Sequence, residues 1–103
     1  MVEVYIMKWL WTWDGQCFGY REHEDLWTCD GKHVGKIDGT DVYDSNGNYL
    51  GEIMNNERLI TCISKKRDKG FRFKPYANRQ PVEQNVNYAK YAMFVGYEDF
   101  PKF

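Results

Sequence analysis

Three consecutive blocks of sixteen residues, starting at Leu10, align with one another without a gap: LWTWDGQCFGYREHED, LWTCDGKHVGKIDGTD and VYDSNGNYLGEIMNNE. Position one carries Leu10, Leu26 and Val42, and position two carries Trp11, Trp27 and Tyr43. Positions five and six carry Asp14-Gly15, Asp30-Gly31 and Asn46-Gly47. Position nine carries Phe18, Val34 and Leu50, and position ten carries Gly19, Gly35 and Gly51. A fixed period of this kind describes one supersecondary unit used repeatedly, and a unit this short cannot bury its apolar face alone. The chain must therefore stack its units or close them into a ring.

Each block holds an Asp-Gly or Asn-Gly pair between short β-prone runs, a strong hairpin signal. Read as a two-residue type I′ turn, this pairs position two with nine and position one with ten. Trp11 then faces Phe18, Trp27 faces Val34 and Tyr43 faces Leu50, and these pairs are the expected core. The position-ten glycine, opposite an aliphatic residue, marks a bend or a close backbone approach.

A fourth unit is degenerate. Residues 59–63 read as a strand and Phe71, Arg72 and Phe73 as its return, joined by a long loop. Residues 2–9 also look extended and are expected to pair with the last hairpin, which would close the array and hide an edge. Residues 75–81 read as a connector. From Pro81, the spacing of Val82, Val86, Ala89 and Met93, with Gly96 as a stop, predicts a helix. A strand over residues 91–97 is the competing reading, and the tail EDFPKF reads as a surface segment. The expected architecture is one mainly β domain over residues 1–103: about four hairpins in residues 1–74, packed or closed into a small flower-like array, then a connector, a C-terminal helix and a tail in residues 75–103.

The segments WTWDGQCFG, WTCDGKHVG and YDSNGNYLG resemble the four-fold β-flower domain, found in small bacterial and phage-type proteins. The resemblance covers roughly residues 4–73 and departs from the family in the fourth block, which lacks the Asp-Gly turn, and in the C-terminal segment. It implies a fold and carries no settled activity.

At 103 residues there is room for one modest core. Aromatics form 17% of the chain and supply much buried area per residue, which suits a thin β-structure. A net charge of −1 provides no global field toward nucleic acid or membrane, so a long polyanion is not an expected partner. The N-terminal residues lack the pattern of a signal peptide, and no apolar run approaches the ~20 residues of a membrane span. Three cysteines, Cys17, Cys29 and Cys62, without a C-x-x-C spacing, fit reduced thiols and a cytoplasmic location better than a secreted disulfide framework.

Catalytic and metal chemistry are thinly represented, and neither a metal nor a cofactor is expected. His33 occupies position eight, where the other blocks have Cys17 and Tyr49, so it reads as a semi-exposed strand residue. A Cys17–His33 pair would need hydrogen-bond contact and an orienting third group. His23, Glu24 and Asp25 read as a solvated turn without a ligand spacing, and Asp38, Asp41 and Asp44 lack the calcium-loop pattern.

The most informative local feature is basic. Lys65, Lys66, Arg67, Lys69, Arg72 and Lys74 crowd ten residues against one acid, Asp68, with Phe71 and Phe73 interleaved. Cations fix phosphate oxygens and rings stack on bases, so the combination suits a nucleotide; the competing reading is a solvated loop. Trp13, whose repeat mates are Cys29 and Ser45, is the best candidate for an exposed ring.

These features point to a non-catalytic binding protein for a small anionic ligand such as a nucleotide. A phage-type sponge for a nucleotide second messenger, acting against host defence, would be one such protein. The alternative is a protein-interaction module or inhibitor docking an acidic partner, and an enzyme using Cys17 or His33 ranks last. Uncovered edges and aromatics predict a homo-oligomer.

Overall fold

The computed structural model describes residues 7–103. Eight strands follow in order: β1 Met7–Thr12, β2 Cys17–Glu22, β3 Asp25–Thr28, β4 His33–Asp38, β5 Asp41–Tyr43, β6 Tyr49–Met54, β7 Arg58–Cys62 and β8 Tyr97–Asp99. Each pairs with its chain neighbour, and β1 also pairs in parallel with β7, Trp11 opposite Arg58 and Thr12 opposite Leu59. That contact closes the first seven strands into a barrel. β8 takes the remaining edge of β7, so closure leaves little strand edge exposed. Of the residues expected to pair with the last hairpin, 7–9 pair instead with β2, Met7 opposite Glu22 and Trp9 opposite Tyr20, and 2–6 lie outside the described residues.

The hairpins differ from the expected register by one residue. Gly15, Gly31 and Gly47 have φ of 94°, 87° and 82°, whereas the Asp or Asn before each keeps negative φ. Thr12 N–H donates to Gln16 O, and Gly15 N–H to Thr12 O, and the same pattern recurs at Thr28 and Asp44. This is a three-residue loop, a type I turn followed by a left-handed glycine, in place of type I′. Position one still faces the glycine at ten, as Leu10–Gly19, Leu26–Gly35 and Val42–Gly51. Position two, however, pairs with eight, as Trp11–Cys17, Trp27–His33 and Tyr43–Tyr49, and position nine is bulged out of the ladder.

The bulge exchanges the faces, so the expected core is also corrected. The barrel interior is built on position one: Leu10, Leu26 and Val42 with Ile37, Leu59 and Phe100, against which Phe18, Val34 and Leu50 pack. Trp11 and Trp27 are buried on the opposite, outer face. In the fourth hairpin Ile60 pairs with Asp99, which brings Phe100 beside Leu59, where the other three hairpins have glycine. Phe100 fills the space that Gly51 leaves: a Cβ on Gly51 would stand 2.6 Å from its ring. The tail expected at the surface is thus a plug at Phe100, while Pro101, Lys102 and Phe103 are exposed.

The return strand of the fourth hairpin is β8, not Phe71–Phe73, and everything between is an expanded loop. It opens with one 3-10 turn, Ile63–Lys65, and then runs extended. The helix expected from Pro81 does not form. The backbone groups a helix would use internally are spent on the hairpin turns, which the segment crosses in reverse order. Gly70 N–H donates to Gly47 O (2.7 Å), Arg79 to Gly31 O (2.8 Å) and Tyr88 to Gly15 O (2.8 Å). Three residues after each, Phe73, Val82 and Tyr91 donate to Ser45, Cys29 and Trp13 O. The strap advances nine residues for every sixteen of the barrel. No helix among the described residues is long and apolar enough to cross a membrane.

Candidate functional site

The outer face of the barrel is an aromatic layer clamped by the strap. Tyr88 lies flat on Trp11, with ring centroids 3.9 Å apart and planes at 13°. The Arg79 guanidinium sits 3.7 Å over Trp27, and Gly70 passes so close to Tyr43 that a Cβ would stand 2.8 Å from the ring. The residues that make the backbone contacts therefore also cover the position-two rings. Trp11 and Trp13 direct their indole N–H groups to strap carbonyls, Val86 O (2.8 Å) and Ala92 O (2.9 Å), as buried indoles require.

Trp13, expected as an exposed ring, is only 2% exposed, held between Tyr91 and Phe94. Its small repeat mates gave the opposite impression because the rings that cover it, Tyr91 and Phe94, are distant in sequence and lie outside the repeat. Beside it, buried Arg58 donates to Thr12 O, Trp13 O and Ala89 O, with its guanidinium 3.9 Å from the Tyr91 ring. This rivet had no signal in the repeat.

His33 is equally committed. It stacks on Trp27 and Tyr76, at centroid distances of 5.0 Å each, and meets Phe73 at the same distance with the planes tilted by 38°. Its Nδ1 accepts from Tyr76 N–H (3.1 Å), and Nε2 lies 2.9 Å from Asp25 Oδ1. Burial pushes its pKa below the ordinary value, by more than neighbouring Asp25 raises it. A neutral imidazole that accepts at Nδ1 must carry its proton at Nε2, facing Asp25. Nδ1 thus serves the strap, Nε2 faces Asp25 without an aligned hydrogen bond, and the thiol neighbour of Cys17 is Cys29, not His33.

The basic run divides into two groups. Lys65 pairs with Asp41 (2.7 Å) and lies over the Tyr49 ring, Lys66 pairs with Glu98 (2.5 Å), and Lys69 donates to Asn48. These three pin the strap's first turns to the barrel. Arg67, Arg72 and Lys74 are exposed and meet no carboxylate within 4.0 Å among the described residues. Phe73 is half-buried against His33, while Phe71 is 92% exposed. Phe71, Arg72 and Phe73 line a cleft of about 360 Å³ with Tyr43, Lys36 and Asp38, and Glu24 at its rim. Lys36 there is shared with Asp25 (3.3 Å) and Glu24 (4.0 Å).

Four hairpins closed about one axis, three of them with the same bulged register, match a known pattern over most of the chain. The sequence profile of the 4-fold beta flower protein matches residues 3–95. The chain belongs to the four-fold β-flower family. Comparisons with curated proteins and with solved structures find no match. The match extends through the strap of this β-flower, well past the hairpin segments that carry the resemblance in the sequence. It ends before β8 and Phe100, the elements that complete the fourth petal.

Proposed function

We propose that this β-flower is a non-catalytic binding protein whose site is the Phe71–Arg72–Phe73 cleft, and that its ligand is a small anion with an aromatic base, a nucleotide. The carrying observation is Phe71. A ring 92% exposed beside an unpaired guanidinium contributes nothing to folding and offers a stacking surface next to an anion donor. The cleft volume lies at the small end of ligand pockets, which suits one base and one phosphate. Its carboxylates, Glu24 and Asp38, are acceptors for amino and hydroxyl donors of a base or sugar and oppose a long polyphosphate. Of the nine residues expected to bind, Phe71, Arg72 and Phe73 line the cleft, and Lys65, Lys66, Lys69 and Trp13 act as structural fasteners. A stoichiometric binder without turnover depletes its ligand, which fits a sponge for a nucleotide second messenger. The fully exposed Val95 and largely exposed Val86 on the strap support self-association of the protein.

The test is calorimetric titration with mono-, di- and cyclic nucleotides. Arg72→Glu and Phe71→Ala should each weaken binding at least about tenfold, since a charge-assisted hydrogen bond contributes ~1.5–3 kcal/mol and a stacked base ~1–3 kcal/mol. Melting temperatures should stay unchanged. Equal affinity in both variants, or no heat with any nucleotide, overturns the assignment. The second reading, docking of an acidic partner, rests on the same exposed Phe71 with Arg67 and Lys74. It predicts a protein complex lost on Arg67→Glu in a chain blind to nucleotides.

A further inference from the structure

Two of the three thiols of the chain share one cavity. Cys17 opens β2, and Cys29 directly follows β3. The β2–β3 ladder places Gly19 opposite Thr28, so the residues beyond converge at the end of the pair, where the Cys17 and Cys29 thiols lie within hydrogen-bond reach of each other. The pairing obeys the repeat: position eight of one hairpin meets position four or its neighbour in the next, as Tyr49 Oη does in accepting from Cys62 N–H (3.0 Å). Both cysteines line an opening of about 250 Å³ with Phe18, Gln84, Lys102 and Phe103. The strap fixes their backbones: Cys17 N–H donates to Asn87 Oδ1 (3.1 Å), Gln84 Nε2 donates to Cys17 O (3.1 Å), and Val82 N–H donates to Cys29 O (2.8 Å).

We propose that Cys17 and Cys29 form a thiol–disulfide modification site, closed by low-molecular-weight disulfides entering this cavity. The Cys17 thiolate attacks one sulfur of the reagent and expels the first thiolate. Cys29 then attacks Cys17 Sγ and expels the second, the two cysteine protons passing to the two leaving thiolates. Two cysteines and one disulfide give one protein disulfide and two small thiols, so atoms and electrons balance. Burial and the neighbouring Cys17 raise the Cys29 thiol to about 11, in keeping with its second place in this sequence. Cys62, in hydrogen-bond contact with Ser64 Oγ (3.4 Å), does not line this cavity and stays outside the pair. The bond would tie β2 to the second hairpin turn beneath the strap and stiffen the barrel mouth.

Reduced protein would be incubated with oxidised glutathione, denatured, alkylated and mapped by mass spectrometry without reduction. The expected product has lost two hydrogens, links the Cys17 and Cys29 peptides, leaves only Cys62 alkylated, melts higher than the reduced form and reverts with dithiothreitol. Cys62→Ser should behave as the natural chain, and Cys29→Ser should stop at a glutathione adduct on Cys17 or stay unreacted. Three alkylated cysteines after exposure, a lasting glutathione adduct on the natural chain, or a bridge involving Cys62 would each overturn the site.

Discussion

Arg79 and Gly31 are joined backbone to backbone: the Arg79 N–H donates to Gly31 O at 2.8 Å, and a Cβ on Gly31 would stand 2.1 Å from Arg79 O. Gly31 also has φ +87°, so the residue meets two demands at once, a left-handed turn and room for the strap. Gly39 separates them. Its φ is +64°, with nothing within 4 Å of a built Cβ. Alanine at either position costs about 1–2 kcal/mol for the backbone. Gly31→Ala should cost a further ~1–3 kcal/mol because the strap must leave its hydrogen bond. At about 4–8 °C per kcal/mol, thermal melts would separate the two variants clearly. Equal losses would mean that the strap adds nothing at this turn.

The stack of Tyr88 on Trp11 predicts an optical effect. Tyr88→Ala should lower stability by about 0.5–1.5 kcal/mol beyond the lost burial and should shift tryptophan emission to the red as water reaches Trp11. Phe71→Ala, which removes a ring of similar size from the same strap, should leave both the melt and the emission unchanged.

His33 sets an acid limit. Its pKa in the fold is depressed by burial, so the unfolded chain binds the proton more readily. The stability it contributes is fully present above the ordinary histidine value of ~6.5 and is lost as pH falls through that value toward the depressed one. Protonation also removes the Nδ1 acceptor that holds Tyr76 N–H. Denaturant midpoints should therefore drop as pH falls below about 6.5. His33→Asn, which keeps an acceptor near Nδ1 without titrating, should flatten that slope, and an unaltered slope would assign it elsewhere.

Phe100 is 3% exposed in the centre of the barrel. Phe100→Ala should cost ~3–5 kcal/mol, enough to unfold a chain of this size in mild denaturant, whereas Phe103→Ala at the rim should cost far less. Circular dichroism melts of the pair distinguish a plug from a tail.

The hairpins and their number were legible because turn chemistry and aliphatic period are local. The register was not: Asp14-Gly15 is compatible with type I′ and with a type I turn plus left-handed glycine, and only the bulge at Phe18 decides which face Trp11 takes. The strap was hidden because backbone groups dock it. Gly70, Arg79 and Tyr88 share a role and no chemistry, although Asn78 and Asn87, and the β-prone Phe73, Val82 and Tyr91, repeat at nine residues. The helical spacing of Val82, Val86 and Met93 is unrelated to that stride, which includes only Val82 of the three. For the site, residue types were readable and commitments were not. Lys65 and Lys66 carry the same charge as Arg72, yet Asp41 and Glu98, distant in sequence, already hold them.

Native mass spectrometry of freshly purified protein, followed by denaturation to identify what is released, tests the binding account most directly. The account predicts extra phosphate-containing mass at one ligand per chain, absent from Arg72→Glu and Phe71→Ala preparations that melt like the natural protein. A clean protein mass, unchanged after incubation with mono-, di- and cyclic nucleotides, would contradict it and move the Phe71 surface to a protein partner.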